Sequence, residues 1–266
     1  MLKLTVTLFL LFIMSPSELF AQQSNQASPI FNGCVPFKEG DSSKIIIREL
    51  YALSNNPTTK FANWVAYRID STLMSGADRP RNWKADPMLD DNETLEPTPD
   101  DYKGAYEGFG YDRGHLAPLA SLDGPSSYYE LNYLSNIAPQ KSSMNRGPWK
   151  TLEDTERSLV SYCDYTYVFC GAVFEESMDA LPNCDESHRV PSSFWKVIIC
   201  QTNSTTQTAS FIVPQNAERG ESIFTYGTTL KDISTRTGYQ IMWCMPDTWL
   251  ESNFDYIVDE WLYNFQ

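Results

Sequence analysis

Apolar positions along this chain fall into short runs rich in β-branched and aromatic residues, broken by turn formers. Ile45 to Leu53 and Phe61 to Ile69, separated by Ser54-Asn55-Asn56-Pro57, predict two strands joined by a turn. Tyr167 to Phe174, Phe194 to Gln201, Ala209 to Val213 and Gln240 to Met245 predict four more strands. One stretch keeps a helical period: behind Pro148, which suits a first helical turn, Trp149, Leu152, Glu156, Leu159, Val160 and Cys163 recur along one side. Glu153 and Arg157 lie four residues apart off that stripe and can meet, although most such pairs are surface contacts of small worth. Ser222 to Thr237 predicts a short helix stopping before Gly238, and Trp249 to Phe265 an amphipathic one. Strands outnumber helices without regular alternation, so the expected class is α+β: a largely antiparallel central sheet flanked by helices.

Between residues 70 and 110 the periodicity vanishes, and Pro80, Pro87, Pro97 and Pro99 punctuate an acidic stretch. A segment of this length inside a compact domain is usually functional or disordered. Its basic knot, Arg79-Pro80-Arg81-Asn82-Trp83-Lys84, is a candidate for substrate contact, against the plainer reading that its charges keep a long loop solvated. No Gly/Ser linker divides the 266 residues, and 42% hydrophobic content suffices for one sizeable core, so residues 22–266 are expected to form one domain.

The first 21 residues read as a cleaved signal peptide: Met1-Leu2-Lys3 is positive, Leu4 to Met14 apolar, and Ser15 to Ala21 more polar with a small final residue. Secretion is therefore expected, into the medium or through a periplasm. The apolar run is too short to span a bilayer comfortably and no later stretch is longer, so no membrane partner is expected. Cys34, Cys163, Cys170, Cys184, Cys200 and Cys244 are an even number for an oxidising compartment, which predicts disulfides without disclosing their pairing. None sits in a CxxC pair, which speaks against a structural zinc site. Asn92-Glu93-Thr94 and Asn203-Ser204-Thr205 fit the glycosylation pattern.

A formal charge of -14 would ordinarily exclude a nucleic-acid partner. Net charge does not locate charge, however. Arg79, Arg81, Lys84, Arg113, Lys141, Arg146, Lys150 and Arg157 crowd the middle third, where a local positive groove can form. The same region holds Tyr111-Asp112-Arg113-Gly114-His115-Leu116-Ala117-Pro118, with one of only two histidines. Histidine exchanges protons near neutral pH, and an arginine two residues away suits a phosphate. Taken alone, a single histidine is more often structural, and His188 is read that way.

The blocks Asp112-Arg113-Gly114-His115, Asn132 to Gln140, Asn145 and Trp149 to Arg157 occur in order, with Phe61 to Tyr67, Arg81 to Lys84 and Pro191 to Ile198 around them. Together they resemble the DNA/RNA non-specific endonuclease family, especially its secreted Serratia-type members. The resemblance implies a ββα-metal finger in which His115 is the general base, Asn145 the direct protein ligand to magnesium, and Glu153 the carboxylate that holds the ion's water shell. It also implies that Arg81, Arg113 and Arg157 contact the scissile phosphate and that Asn136 supports the site through hydrogen bonds. The expected cofactor is Mg2+, with Mn2+ as a substitute. The expected partners are DNA and RNA, single- or double-stranded, cut into 5′-phosphate oligonucleotides, and a homodimer is left open. Two rival readings are a catalytically silent nucleic-acid-binding module of the same fold, and a hydrolase pairing a cysteine nucleophile with His115; the even cysteine count weighs against the second.

Overall fold

The computed structural model describes residues 28–203 and 205–246. Seven antiparallel strands form one sheet in the order β1-β2-β3-β6-β7-β8-β9: β1 Lys44–Ile47, β2 Tyr51–Asn55, β3 Ala62–Ile69, β6 Tyr165–Val173, β7 Ser193–Gln201, β8 Thr206–Pro214 and β9 Gly227–Thr228. A separate hairpin pairs β4, Tyr111–His115, with β5, Ile137–Lys141. Among the described residues the α-helices are few and short: α1 Ala105–Phe109, α2 Ser142–Met144, α3 Lys150–Ser158 and α4 Leu230–Thr237. The α+β class and the antiparallel sheet are as the sequence predicts.

The central strands are buried almost throughout because the sheet is covered on both faces. Val65, Tyr67 and Ile69 of β3, with Phe194 and Ile198 of β7, face a core shared with Leu116, Ile137, Trp149, Leu152 and Leu159. The alternate residues Trp64, Ala66, Trp195, Val197 and Ile199 face a second core with Phe31, Cys34, Ile233, Tyr239 and Met242. The period-two alternation thus sorts side chains between two dry faces. On the first face lies the finger, made of β4, β5, α2 and α3. Gln215 holds it to the sheet: its Oε1 accepts the Lys141 N–H at 2.7 Å, and its Nε2 donates to the carbonyls of Pro139 at 2.8 Å and Pro191 at 3.0 Å. The Cys163–Cys200 disulfide ties the chain just beyond α3 to β7, and Cys34–Cys244 ties the N-terminal segment to the last described turn.

Three expectations need correction. The stretch from Ile45 to Leu53 is two strands, because the chain reverses at Arg48-Glu49-Leu50, where the Arg48 N–H donates to the Tyr51 carbonyl at 2.8 Å. Gln240 to Met245 is not a strand: Gln240 makes a single bridge with Phe37, after which the chain turns through Met242 at φ 60° and is fixed by the Cys244 disulfide. The helical period after Pro148 is real but ends at Ser158, so that Val160 and Cys163 lie beyond α3, and a separate helical turn, α2, precedes it at Ser142–Met144. A wider turn, Asn145–Trp149, joins α2 to α3. Helical conformation breaks inside that turn at Gly147, at φ -113° and ψ -117°, so Pro148 follows the break and enters the first turn of the second helix, where its missing N–H costs nothing, as the sequence predicts. Gly238 stops α4 in the left-handed conformation at φ 75°, as expected. The proposed leader over residues 1–21 and the helix at Trp249 to Phe265 lie outside the described residues. No described helix is long and apolar enough to cross a membrane.

Candidate active site

The hairpin and the kinked helix open onto a cleft of about 820 Å³. Arg81, Arg113, His115, Asn145, Glu153 and Arg157 all line it, so residues spread over 77 positions of sequence share one wall. Lys103, Arg146 and Lys150 are there too, against the acids Asp100, Glu107, Asp112 and Glu153, which leaves the cleft positive in a strongly negative molecule.

His115 closes β4. The glycine before it is required by close approach: a Cβ on Gly114 would stand 2.0 Å from Oε1 of Gln140, a buried residue of β5. The imidazole Nε2 lies 3.1 Å from Asn132 Oδ1. Asn132 Nδ2 in turn donates to the Pro80 carbonyl at 3.3 Å, which orients the amide with its oxygen toward the histidine. The network therefore assigns the proton to Nε2 and leaves Nδ1 as the basic nitrogen. Trp83 stacks beside the ring at 5.4 Å between centroids. Burial, partly countered by the Asn132 hydrogen bond and reinforced by Arg81, lowers the His115 pKa to about 4. The imidazole is neutral, and so able to accept a proton, well below neutral pH.

Asn145 projects from the wide turn of the helix. Its Nδ2 donates to Asp112 Oδ2 at 2.9 Å, which leaves Oδ1 as the available acceptor. Arg146 grips the same carboxylate with Nε at 2.8 Å and Nη2 at 2.5 Å. A hard cation that retains water is suited by an amide oxygen with a nearby carboxylate, and Asn145 with Glu153 offers that donor set. Burial raises the Glu153 pKa to about 7, opposed by Lys196 and Arg157. A bound dication would favour the ionised form.

The arginines are held in different ways. Arg113 Nη2 reaches both oxygens of Asp100, at 2.5 and 2.7 Å, and its guanidinium lies 5.6 Å from the Trp83 ring and 5.2 Å from the Tyr102 ring. Arg157 donates to Ser121 Oγ at 3.2 Å and pairs with Asp154, three residues back, rather than with the expected Glu153. Arg81 is exposed at the rim. The basic knot thus contributes Arg81 and Trp83 to the cleft, while the Lys84 backbone bridges to Tyr133 and its ammonium lies 5.1 Å from the centre of the Tyr129 ring.

Asn136 is separate from this wall. It is fully buried, its Oδ1 accepts the Ala117 N–H at 2.9 Å, and its Nδ2 donates to the Ala117 and Leu131 carbonyls at 3.0 and 2.9 Å. All its polar capacity goes to fixing the backbone just after His115. Asn132, Asp112 and Asp100 are neighbours to which the sequence assigns no role, and Arg146 is marked there only as one of the basic residues of the groove. Asp112 and Asn132 lie inside the sequence blocks Asp112–His115 and Asn132–Gln140, but only contact geometry distinguishes them. His188 is structural: Nε2 accepts the Leu181 N–H and Nδ1 donates to the Glu186 carbonyl, both at 2.9 Å.

Two of the six cysteines are unpaired, so the even count does not mean complete pairing. Neither lines the cleft. Cys170 is buried with its thiol 3.4 Å from the Leu116 carbonyl and its pKa pushed up to about 12, which is unfit for a nucleophile.

A ββα unit set on a broad antiparallel sheet, with a histidine and an asparagine facing one positive cleft, is the architecture of the ββα-metal nucleases. The chain belongs to the DNA/RNA non-specific endonuclease family, whose profile matches residues 32–247. It is 44% identical to a nuclease of Serratia marcescens over 86% of this chain and 87% of that protein. It is 27% identical to a nuclease of Nostoc over 79% and 77% of the two chains, and 30% identical to human mitochondrial endonuclease G over 66% and 61%. The fold also matches the solved structure of an EndoG/EndoGI complex, with a TM-score of 0.64 and 21% identity, covering 76% of this chain and 88% of that one. The protein is a nucleic-acid-hydrolysing enzyme.

Proposed function

We propose that this enzyme is a secreted, magnesium-dependent endonuclease that cuts DNA and RNA, single- or double-stranded, with little sequence preference, leaving 5′-phosphate ends. The observation that carries the reading is the fixed tautomer of His115, whose free Nδ1 shares a cleft with the free Oδ1 of Asn145. His115 Nδ1 takes the proton of the attacking water, while Asn132 retains the Nε2 proton and the ring orientation. Asn145 and Glu153 would hold Mg2+, or Mn2+ in its place. That ion, when bound, neutralises phosphate charge and stabilises the departing oxygen. Arg81 and Arg157 meet the phosphate from the rim and the helix, and Arg113 exchanges Asp100 for it. Asn136 positions the segment after His115 without touching substrate. Contacts of this kind go to phosphates and read no bases, which accounts for breadth of substrate.

Two disulfides fit an oxidising compartment, which supports secretion through the leader-like residues 1–21. Plasmid DNA and RNA incubated with the purified mature protein, with magnesium or with EDTA, test the whole reading. Both substrates should be degraded in magnesium and neither in EDTA. Binding without cleavage in magnesium would favour the silent module.

A further inference from the structure

Away from the cleft, two carboxylates and a thiol from two loops converge. Asp101 is fully buried; its Oδ2 accepts the Glu96 N–H at 2.5 Å, while Oδ1 makes no hydrogen bond although the Cys184 thiol lies beside the carboxylate. Cys184 Sγ is 3.3 Å from Glu186 Oε2. One ligand atom from each of Asp101, Cys184 and Glu186 lies within 4.8 Å of the others. Among the described residues no Lys or Arg forms an ion pair with any of the three, and Asp91, Glu96 and Asp185 add further negative charge around them. Burial, reinforced by the repulsion of neighbouring carboxylates, pushes Asp101, Glu96 and Cys184 upward in pKa.

We propose that Asp101, Cys184 and Glu186 form a second metal site that takes a thiolate-preferring divalent cation of the zinc class. A dication would supply the missing counter-charge and a partner for the orphaned Asp101 oxygen. The donor set separates this site from the cleft: a thiolate with two carboxylates suits zinc, whereas magnesium takes oxygens alone. Tetrahedral zinc with bonds of about 2.0–2.3 Å sets its ligand atoms about 3.5 Å apart, so the cluster needs only a modest contraction. Cys184 and Glu186 are partly exposed, giving the ion a route in and leaving the fourth position to water. His188 is already committed at both ring nitrogens to backbone of this loop and holds its shape without being a ligand. On binding, the Cys184 thiol passes its proton to solvent and its sulfur lone pair forms the bond to the cation, with no change of oxidation state. The bound ion joins the loop around Asp101 to that around Cys184. Asp100 and Tyr102, on either side of Asp101, are the residues that hold Arg113, so the site braces one wall of the cleft.

The proposal does not depend on the catalytic assignment, and its test does not read activity. The mature protein, with both disulfides intact, is dialysed against zinc chloride in excess magnesium and its metal content measured, alongside Cys184→Ser, Asp101→Asn, Cys170→Ser and Asn145→Ala. One equivalent of zinc should bind to the native protein, to Cys170→Ser and to Asn145→Ala. Binding to Cys184→Ser should weaken by more than about tenfold, since even the outer partners of metal ligands cost that much. Alkylation of Cys184 in the native protein, which needs no variant to fold, should slow at least about tenfold when zinc is bound. Failure to bind zinc, undiminished binding by Cys184→Ser, loss of zinc only in Asn145→Ala, or alkylation indifferent to zinc would each overturn the site.

Discussion

His115 and Asn132 share a hydrogen bond of 3.1 Å between Nε2 and Oδ1, and the Asn132 amide is itself oriented by the Pro80 carbonyl. The long irregular segment therefore selects the tautomer of the base through the Pro80 carbonyl, by way of Asn132, and flanks the ring with Trp83. His115→Ala should lower kcat by at least about a hundredfold in a folded protein, the usual scale of a general base. Asn132→Ala should lower kcat more than it raises KM, because it releases the ring without removing a phosphate contact. Steady-state kinetics on both variants with unchanged circular dichroism is the check, and an Asn132→Ala enzyme of native kcat would remove this residue from the mechanism.

The pH profile of kcat/KM reports the free enzyme. Burial depresses His115 to about 4, below the ordinary histidine value of about 6.5, so the ring keeps its accepting form until the medium is distinctly acid. At saturating magnesium, the acid limb due to His115 should lie well below 6.5. The same depression means that between those two values the unfolded chain binds a proton the folded one refuses, so this group's contribution to stability falls as pH drops through that window. An acid limb centred at 6.5 would show that the folded site does not hold the ring neutral.

Glu153 shifts in the opposite sense, up to about 7, where burial outweighs Lys196 and Arg157. Without an ion, the folded site favours the protonated carboxyl, a contribution present below the ordinary carboxylate range and lost as pH rises through 7. A cation reverses this preference. Magnesium should therefore raise the melting temperature more at pH 8 than at pH 5.5, and Glu153→Gln should remove most of that difference. Thermal unfolding with magnesium or EDTA at the two pH values measures it; a gain independent of pH would separate Glu153 from the ion.

Arg113 is held by Asp100 at 2.5 and 2.7 Å between two aromatic rings, a geometry a lysine cannot reproduce. Arg113→Lys should lower kcat/KM about tenfold to a hundredfold, the equivalent of one charged hydrogen bond of about 1.5–3 kcal/mol. Asp100→Asn should weaken the competing partner and lower KM. If Arg113→Lys cleaved at the native rate, the planar fork would not be what meets the phosphate.

Much of this was legible in the chain because the signals were local. The β-branched runs at β3, β6, β7 and β8 and the glycine stop of α4 needed no tertiary information. The blocks around His115 and Asn145 named the wall of the cleft. What stayed hidden depended on distance. The reversal at Arg48-Glu49-Leu50 has no glycine or proline to announce it, and Gln240 to Met245 looks extended until the Cys34 disulfide turns it. Pro148 reads as a helix start, and the break at Gly147 bears that out, but spacing alone does not show the helical turn at Ser142–Met144 ahead of it. Nor could the pattern distinguish Asn132, which touches His115, from Asn136, which touches only backbone.

Glu156 sits on the apolar stripe of α3, and its meaning also lay outside the sequence. Both it and Lys196 of β7 are fully buried, their charges 2.9 Å apart, with the Tyr67 hydroxyl donating to each Glu156 oxygen at 2.9 Å. The Lys196 ammonium also lies 4.5 Å from the centre of the Trp149 ring. This network pins the helix that carries Glu153 and Arg157 to the sheet, and it gives direction to a stretch that apolar packing alone could let slide. Removing one partner strands a charge away from water, so Lys196→Ala should cost about 3–5 kcal/mol, whereas Lys196→Met with Glu156→Leu, which removes both charges and keeps volume, should cost much less. Urea unfolding of the single and double variants reads the difference. The helix would still occupy its place in the double variant but lose its fixed register, so kcat should fall further than stability does; a double variant with native kcat would assign the pair to stability alone.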